Sequence, residues 1–78
     1  MHIGQLIKQE LANQGRSVTW FAEQLSYSPT YVHEIFDGEA IDAELLLRIS
    51  ELLDVDFFKF YSEELKNSGF GFGLEQTD

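Results

Sequence analysis

Apolar side chains recur along the chain at the three- and four-residue spacing of amphipathic helices. Five such stretches follow one another, separated by glycines or by residues that cap helices. Their inward-facing positions are Ile3, Leu6, Ile7 and Leu11, then Phe21, Ala22 and Leu25, then Val32, Ile35 and Phe36, then Ala43, Leu46, Ile49, Ser50 and Leu53, and finally Phe57 and Phe60. The pattern predicts an all-α protein with five helices.

The stretch from residue 17 to residue 38 has the signals of two short helices joined by a tight turn. Ser28 is predicted to cap the second of these helices, with Pro29 at the first helical position, where its missing N–H is no loss. Gly38 is predicted to end that helix in the left-handed conformation. Two short helices in this order form a helix-turn-helix pattern.

The other helices carry their own end signals. Gly15 is predicted to end the first helix, whereas Gly4, a poor helix former, makes the start of that helix uncertain. Ser17 is predicted to cap the second helix and Asp42 the fourth. Asp56 is predicted to cap the fifth, which is expected to cover residues 57–66.

The final residues have no helical pattern. Phe70 and Phe72 alternate with glycines, which is typical of an extended arm with two apolar anchors. We expect this arm to dock near the leucines of the fourth helix that lie off its inward face, Leu45, Leu47 and Leu52. The predicted organisation is therefore a helical domain at 1–66 and a Gly/Phe C-terminal tail at 67–78.

Several features of residues 3–65 occur together in one known family. They are Ala22 in the second helix, Leu25 three residues later, the Ile35-Phe36-Asp37-Gly38 stop and the Leu53-Asp54-Val55 step. In these features the chain resembles the helix-turn-helix domain of phage-repressor and Cro-like (XRE-type) bacterial regulators. The resemblance implies a five-helix repressor-like bundle in which the third helix recognises double-stranded DNA and the last helix often mediates dimerisation.

The charge of the chain opposes simple DNA binding. Five Lys and Arg against fourteen Asp and Glu give a net charge of −9. Because duplex binding depends largely on neutralising phosphates, such a chain is repelled unless its cations gather on one face. Residues 34–44 contain no Lys or Arg, and their acids are Glu34, Asp37, Glu39, Asp42 and Glu44. The family often carries basic residues in this region.

The resemblance places candidate DNA contacts at the start of the second helix and along the outer face of the third. They are Arg16, Ser17, Ser28, Thr30, Tyr31, His33 and Glu34. Thr30 can bond a base or touch a thymine methyl, Tyr31 can reach a phosphate, His33 can donate, and Glu34 can accept from cytosine. The usual readers Arg, Asn and Gln are missing from this helix. The alternatives are an ordinary solvated helix face and, for Arg16, a solvated surface arginine.

Apolar residues outside the inward positions predict a second covered surface. A 78-residue chain buries only about 60% of its unfolded surface, so burial in a dimer would add stability. We expect a homodimer interface formed by Leu45, Leu52, Phe58, Tyr61, Phe70 and Phe72. The alternative is that a later segment of the same chain covers the leucines. Trp20 is expected either to cover the first helix or to join a partner surface.

Several function classes find no support in the sequence. There is no cysteine, no leader-like segment and no apolar run long enough to span a membrane, which fits a cytoplasmic protein without membrane contact. His2 and His33 lack the spacing of a zinc site. No catalytic constellation is present, so the sequence predicts no enzyme, no metal and no cofactor.

Two hypotheses about function remain. The first is a DNA-binding transcriptional regulator of the repressor-like helix-turn-helix class that acts as a dimer. The second is an acidic protein-interaction module on the same fold. Such a module would be the partner of a basic regulator, or a decoy for it, and would have lost duplex binding. The sequence favours the first, on the fold and the capped second helix. The charge of −9, the missing base readers and the apolar C-terminal half support the second.

Overall fold

Five α-helices and no strand make up residues 1–69, the part of the chain that the computed structural model describes. The helices are α1 (Ile3–Asn13), α2 (Val18–Leu25), α3 (Pro29–Asp37), α4 (Ala43–Leu53) and α5 (Phe58–Asn67). The prediction of an all-α protein with five helices is confirmed. Residues 70–78, which include Phe70 and Phe72 of the predicted extended tail, lie outside the described residues.

The core draws on α1 to α4 and on the segment that precedes α5. Its buried apolar residues are Ile3, Ile7, Leu11, Phe21, Ala22, Leu25, Val32, Phe36, Leu45, Leu46, Ile49, Leu53 and Phe57. Leu6, Ile35 and Phe60, predicted to face inward, are partly buried against this cluster. Most of the predicted inward positions are therefore correct.

The inward face of α4 differs from the prediction at two positions. Ala43 is exposed, and Leu45 is buried in its place, with 7% of its surface accessible. Ala43 is the first residue of the helix, and burial of the larger leucine side chain removes more apolar surface from water.

Three side chains cap helices as predicted. The Oγ of Ser17 accepts a hydrogen bond from the backbone N–H of Trp20 at 3.0 Å, and the Oγ of Ser28 accepts one from Tyr31 at 3.2 Å. The Oδ1 of Asp42 accepts one from the backbone N–H at residue 45 at 2.8 Å. Each bond satisfies a donor in the first turn that has no partner within the helix.

The end of α3 differs from its prediction. Gly38 has φ −81° and ψ 140°, an extended conformation, so the predicted left-handed glycine is wrong. In this conformation its carbonyl accepts a hydrogen bond from the N–H of Gly4 at 3.2 Å, which ties the end of α3 to α1. Left-handed residues instead follow the other four helices: Gly15 after α1, Ser26 after α2, Asp54 after α4 and Gly69 after α5, with φ of 70°, 60°, 56° and 77°.

The fifth helix begins one residue later than predicted. Its N-cap is Phe57, which makes no side-chain cap bond, so the prediction of Asp56 as the cap is wrong. The Oδ1 of Asp56 still accepts a hydrogen bond from the N–H of Phe58 at 3.0 Å. Phe57 is 1% exposed, which anchors the start of the helix in the core.

Candidate functional site

The outer face of α3 stands free of the rest of the domain. Val32 and Phe36 are 0% and 1% exposed and hold the helix against the core. Thr30, His33 and Glu34 are exposed, in agreement with the predicted outward face. The helix thus presents hydrogen-bonding side chains to solvent while its inner side keeps it in place.

An aromatic pair occupies the three-residue connection between α2 and α3 and the first turn of α3. The rings of Tyr27 and Tyr31 meet edge to face with centroids 4.7 Å apart. The guanidinium carbon of Arg48, from α4, lies 5.8 Å from the Tyr27 ring centroid. Its Nη2 donates a hydrogen bond to the carbonyl oxygen of Leu25 at 3.1 Å. Arg48 therefore brings a positive charge to the α2–α3 connection.

The start of α2 carries the other arginine. The guanidinium carbon of Arg16 lies 4.4 Å from the centroid of the Trp20 ring, and both groups are on the same side of the helix start. Trp20 is partly buried and packs against the core cluster. The hydroxyl of Ser17, although it accepts the cap bond, can still donate its own hydrogen. A cation and a hydroxyl donor thus lie together at this helix start.

Charge is unevenly distributed around these helices. Between residues 16 and 33 the chain has one cation, Arg16, and one acid, Glu23. The acids of residues 34–44 begin on the second half of α3 and continue into the loop that leads to α4. Arg48 adds a second cation near the α2–α3 connection. The acids thus begin in the second half of α3, while the two arginines lie at the start of α2 and beside the α2–α3 connection.

A groove separates α3 from the start of α4. It has a volume of about 240 Å³ and is lined by Tyr31, Glu34, Ile35, Ala40, Ile41, Asp42 and Leu45. Two of the predicted DNA-contacting residues, Tyr31 and Glu34, meet here. The groove combines apolar walls with two carboxylates.

The predicted dimer surface is only partly exposed. Leu45 belongs to the core of the monomer, so its assignment to an interface is wrong. Leu52 is half-buried against the core. Phe58 and Tyr61 are each 37% exposed. Leu65 lies on the same face of α5 and is 45% exposed, although it was not among the predicted interface residues. Phe70 and Phe72 lie outside the described residues.

Sequence reasoning missed Arg48, because no sequence signal links it to a carbonyl 23 residues earlier. Within residues 1–69, no cluster of His, Asp or Glu has the arrangement needed to hold a metal ion. In the same part of the chain, no helix combines the length and apolar character needed to cross a bilayer.

Comparisons with models of protein families, with curated proteins and with solved structures found no match.

Proposed function

We propose that the chain is a DNA-binding transcriptional regulator of the repressor-like helix-turn-helix class. In this proposal α2 and α3 are the helix-turn-helix unit, and α3 is the recognition helix. The observation that carries the proposal is the outer face of α3, where Thr30, Tyr31 and His33 are exposed while Val32 is completely buried. A helix whose inner side chains are packed in the core can place its outer face in a major groove without disturbing that core.

The positions of the two arginines support the assignment of α2 and α3 as the surface that faces a duplex. Arg16 lies at the start of α2, and Arg48 lies at the connection between α2 and α3. Phosphate contacts by arginine, by hydroxyl groups and by the N-terminal ends of helices fix a protein's register on a duplex. The duplex would approach the starts of α2 and α3.

We further propose that two copies bind together. The exposed side chains of Phe58, Tyr61 and Leu65 form one apolar face of α5, a helix that has no fully buried side chain in the described chain. A two-fold dimer through this face would place two recognition helices on half-sites about 34 Å apart, one turn of DNA. Such a dimer would act in the cytoplasm on bacterial DNA.

The test is selection of bound duplexes from a random pool at low ionic strength, followed by an anisotropy titration of the enriched sequence. We expect the T30A/H33A double variant to lose the preference for that sequence over random duplex, since a good base contact contributes about 1–3 kcal/mol. Gln9→Ala, an exposed change on α1, is the matched control. The proposal would be contradicted if no sequence were enriched and if T30A/H33A and Gln9→Ala bound duplex DNA with equal affinity.

A specific observation favours a second candidate function. Both arginines already contact groups of the chain itself, Trp20 for Arg16 and the Leu25 carbonyl for Arg48, while five acids stand in and after α3. This arrangement suits an acidic module that binds a basic protein, as partner or decoy. Such a module would bind a cationic repressor domain at low salt and show no retention on duplex DNA at any salt concentration.

A further inference from the structure

The groove between α3 and the start of α4 has the size and walls of a side-chain site. Its volume of about 240 Å³ is below the roughly 300–1,000 Å³ of pockets that enclose a drug-sized molecule. Its apolar walls come from Ile35, Ile41 and Leu45, and Tyr31 adds an aromatic ring. A volume of this kind accommodates one or two side chains of a peptide rather than a free small ligand.

The charge around the groove selects the kind of side chain. Glu34 and Asp42 both line it. Asp37, Glu39 and Glu44 lie in the same stretch of residues 34–44, which has no Lys or Arg. The Oδ1 of Asp42 is held by its cap bond, so its carboxylate has a defined position. Long basic side chains lay their aliphatic stems on apolar surface and keep the charged end at polar groups. An acidic rim over apolar walls is complementary to such a side chain.

We propose that this groove binds a basic segment of another protein, with an arginine or lysine stem on Ile41 and its charged end between Glu34 and Asp42. An adjacent apolar side chain of the segment packs against Ile35 and the ring of Tyr31. The proposal does not depend on duplex binding, and it gives the second candidate function a defined site. Because Tyr31 and Glu34 also belong to the outer face of α3, a bound segment would cover part of the surface assigned to DNA.

The probe is a fluorescently labelled, end-capped peptide, Gly-Ser-Leu-Arg-Leu-Arg-Ser-Gly, titrated into the full chain at low salt. Its counterpart with glutamine for arginine measures the contribution of charge. We expect the arginine peptide to bind and to shift the NMR methyl signals of Ile41 and Leu45. The E34Q/D42N variant should bind about fivefold to tenfold more weakly, because two partly exposed ion pairs are lost. Asparagine keeps the helix cap, so this variant retains its fold.

Two controls separate the groove from general attraction to an acidic protein. E23Q/E63Q removes the same number of charges at exposed positions on α2 and α5, and its affinity should stay within about twofold of the original. Ala40→Leu fills the groove without removing charge and should weaken binding at least as much as E34Q/D42N, with melting curves as the check on folding. If E34Q/D42N and E23Q/E63Q weaken binding equally, or if Ala40→Leu binds the peptide fully, the groove is not the binding site. If the peptide still binds in either case, a basic-partner function elsewhere on the surface survives.

Discussion

Gly4 of α1 lies so close to the carbonyl oxygen of Ile35 in α3 that a β-carbon at this position would collide with it. The carbonyl of Phe36 is equally close, and the Nε2 of Gln5 donates a hydrogen bond to it at 2.9 Å. The first turn of α1 therefore closes over the last turn of α3. This contact fixes the end of the proposed recognition helix without using its outer face.

The first prediction concerns Gly4→Ala. Helix propensity alone would make alanine stabilising by about 1 kcal/mol. The collision is with backbone atoms that cannot rotate away, so we expect a net loss of about 1–3 kcal/mol in the free energy of unfolding. Urea denaturation followed by circular dichroism measures it, with Gln9→Ala on the same helix as control. A midpoint equal to or above that of the unchanged chain would show that the helices separate easily.

The second prediction concerns the cap of α4. Asp42→Ala removes the acceptor for the backbone N–H of Leu45 and should lower the free energy of unfolding by about 1 kcal/mol. Glu39→Ala removes the same charge from an exposed loop position and should be neutral or slightly stabilising in a chain with net charge −9. Thermal melts of Asp42→Ala and Glu39→Ala show whether loss of the cap bond or loss of a negative charge changes the melting temperature. Similar melting temperatures would mean that charge, rather than the cap, controls stability here.

The third prediction concerns Arg16 as a phosphate contact. Arg16→Glu should weaken duplex binding at low salt and reduce the slope of log affinity against log salt by about 0.9, the value for one phosphate contact. Lys8→Glu makes the same change in charge on an exposed part of α1 and should alter the slope less. Anisotropy titrations at several salt concentrations provide both numbers. An unchanged slope for Arg16→Glu would remove this residue from the proposed interface.

The fourth prediction concerns the apolar face of α5. Tyr61→Asp places a charge beside Phe58 and Leu65 and should convert the proposed dimer into a monomer, since an unpaired charge opposes apolar burial. Lys59→Gln lowers the net charge by the same amount on a different side of the helix and should leave the dimer intact. Sedimentation equilibrium reports the mass of each variant. A monomeric unchanged chain would refute this dimer at once.

Local signals predicted most of the helices. Ser28 and Pro29 start α3 as expected because capping and the fixed φ of proline act within a single turn. The burial of Val32 and Phe36 follows from their helical spacing. The exposed outer face of α3 could therefore be predicted from residues within that helix alone.

Other features depended on contacts between distant segments. Gly38 is extended because its carbonyl bonds to Gly4, and Leu45 is buried because α4 turns it toward the core. Arg48 reaches the Leu25 carbonyl across the domain. None of these partners is near in sequence, so periodicity and capping rules contain no information about them.

The number of helices, the caps of α2, α3 and α4, and the excess of negative charge follow from the sequence, because they depend on composition and on neighbours within a turn. The folded arrangement was needed to show that Leu45 belongs to the core, that Arg48 stands at the α2–α3 connection, and that Glu34 and Asp42 share one groove. Those outcomes depend on how α3 and α4 pack, and packing is set by the shapes of surfaces that meet only after the chain has folded.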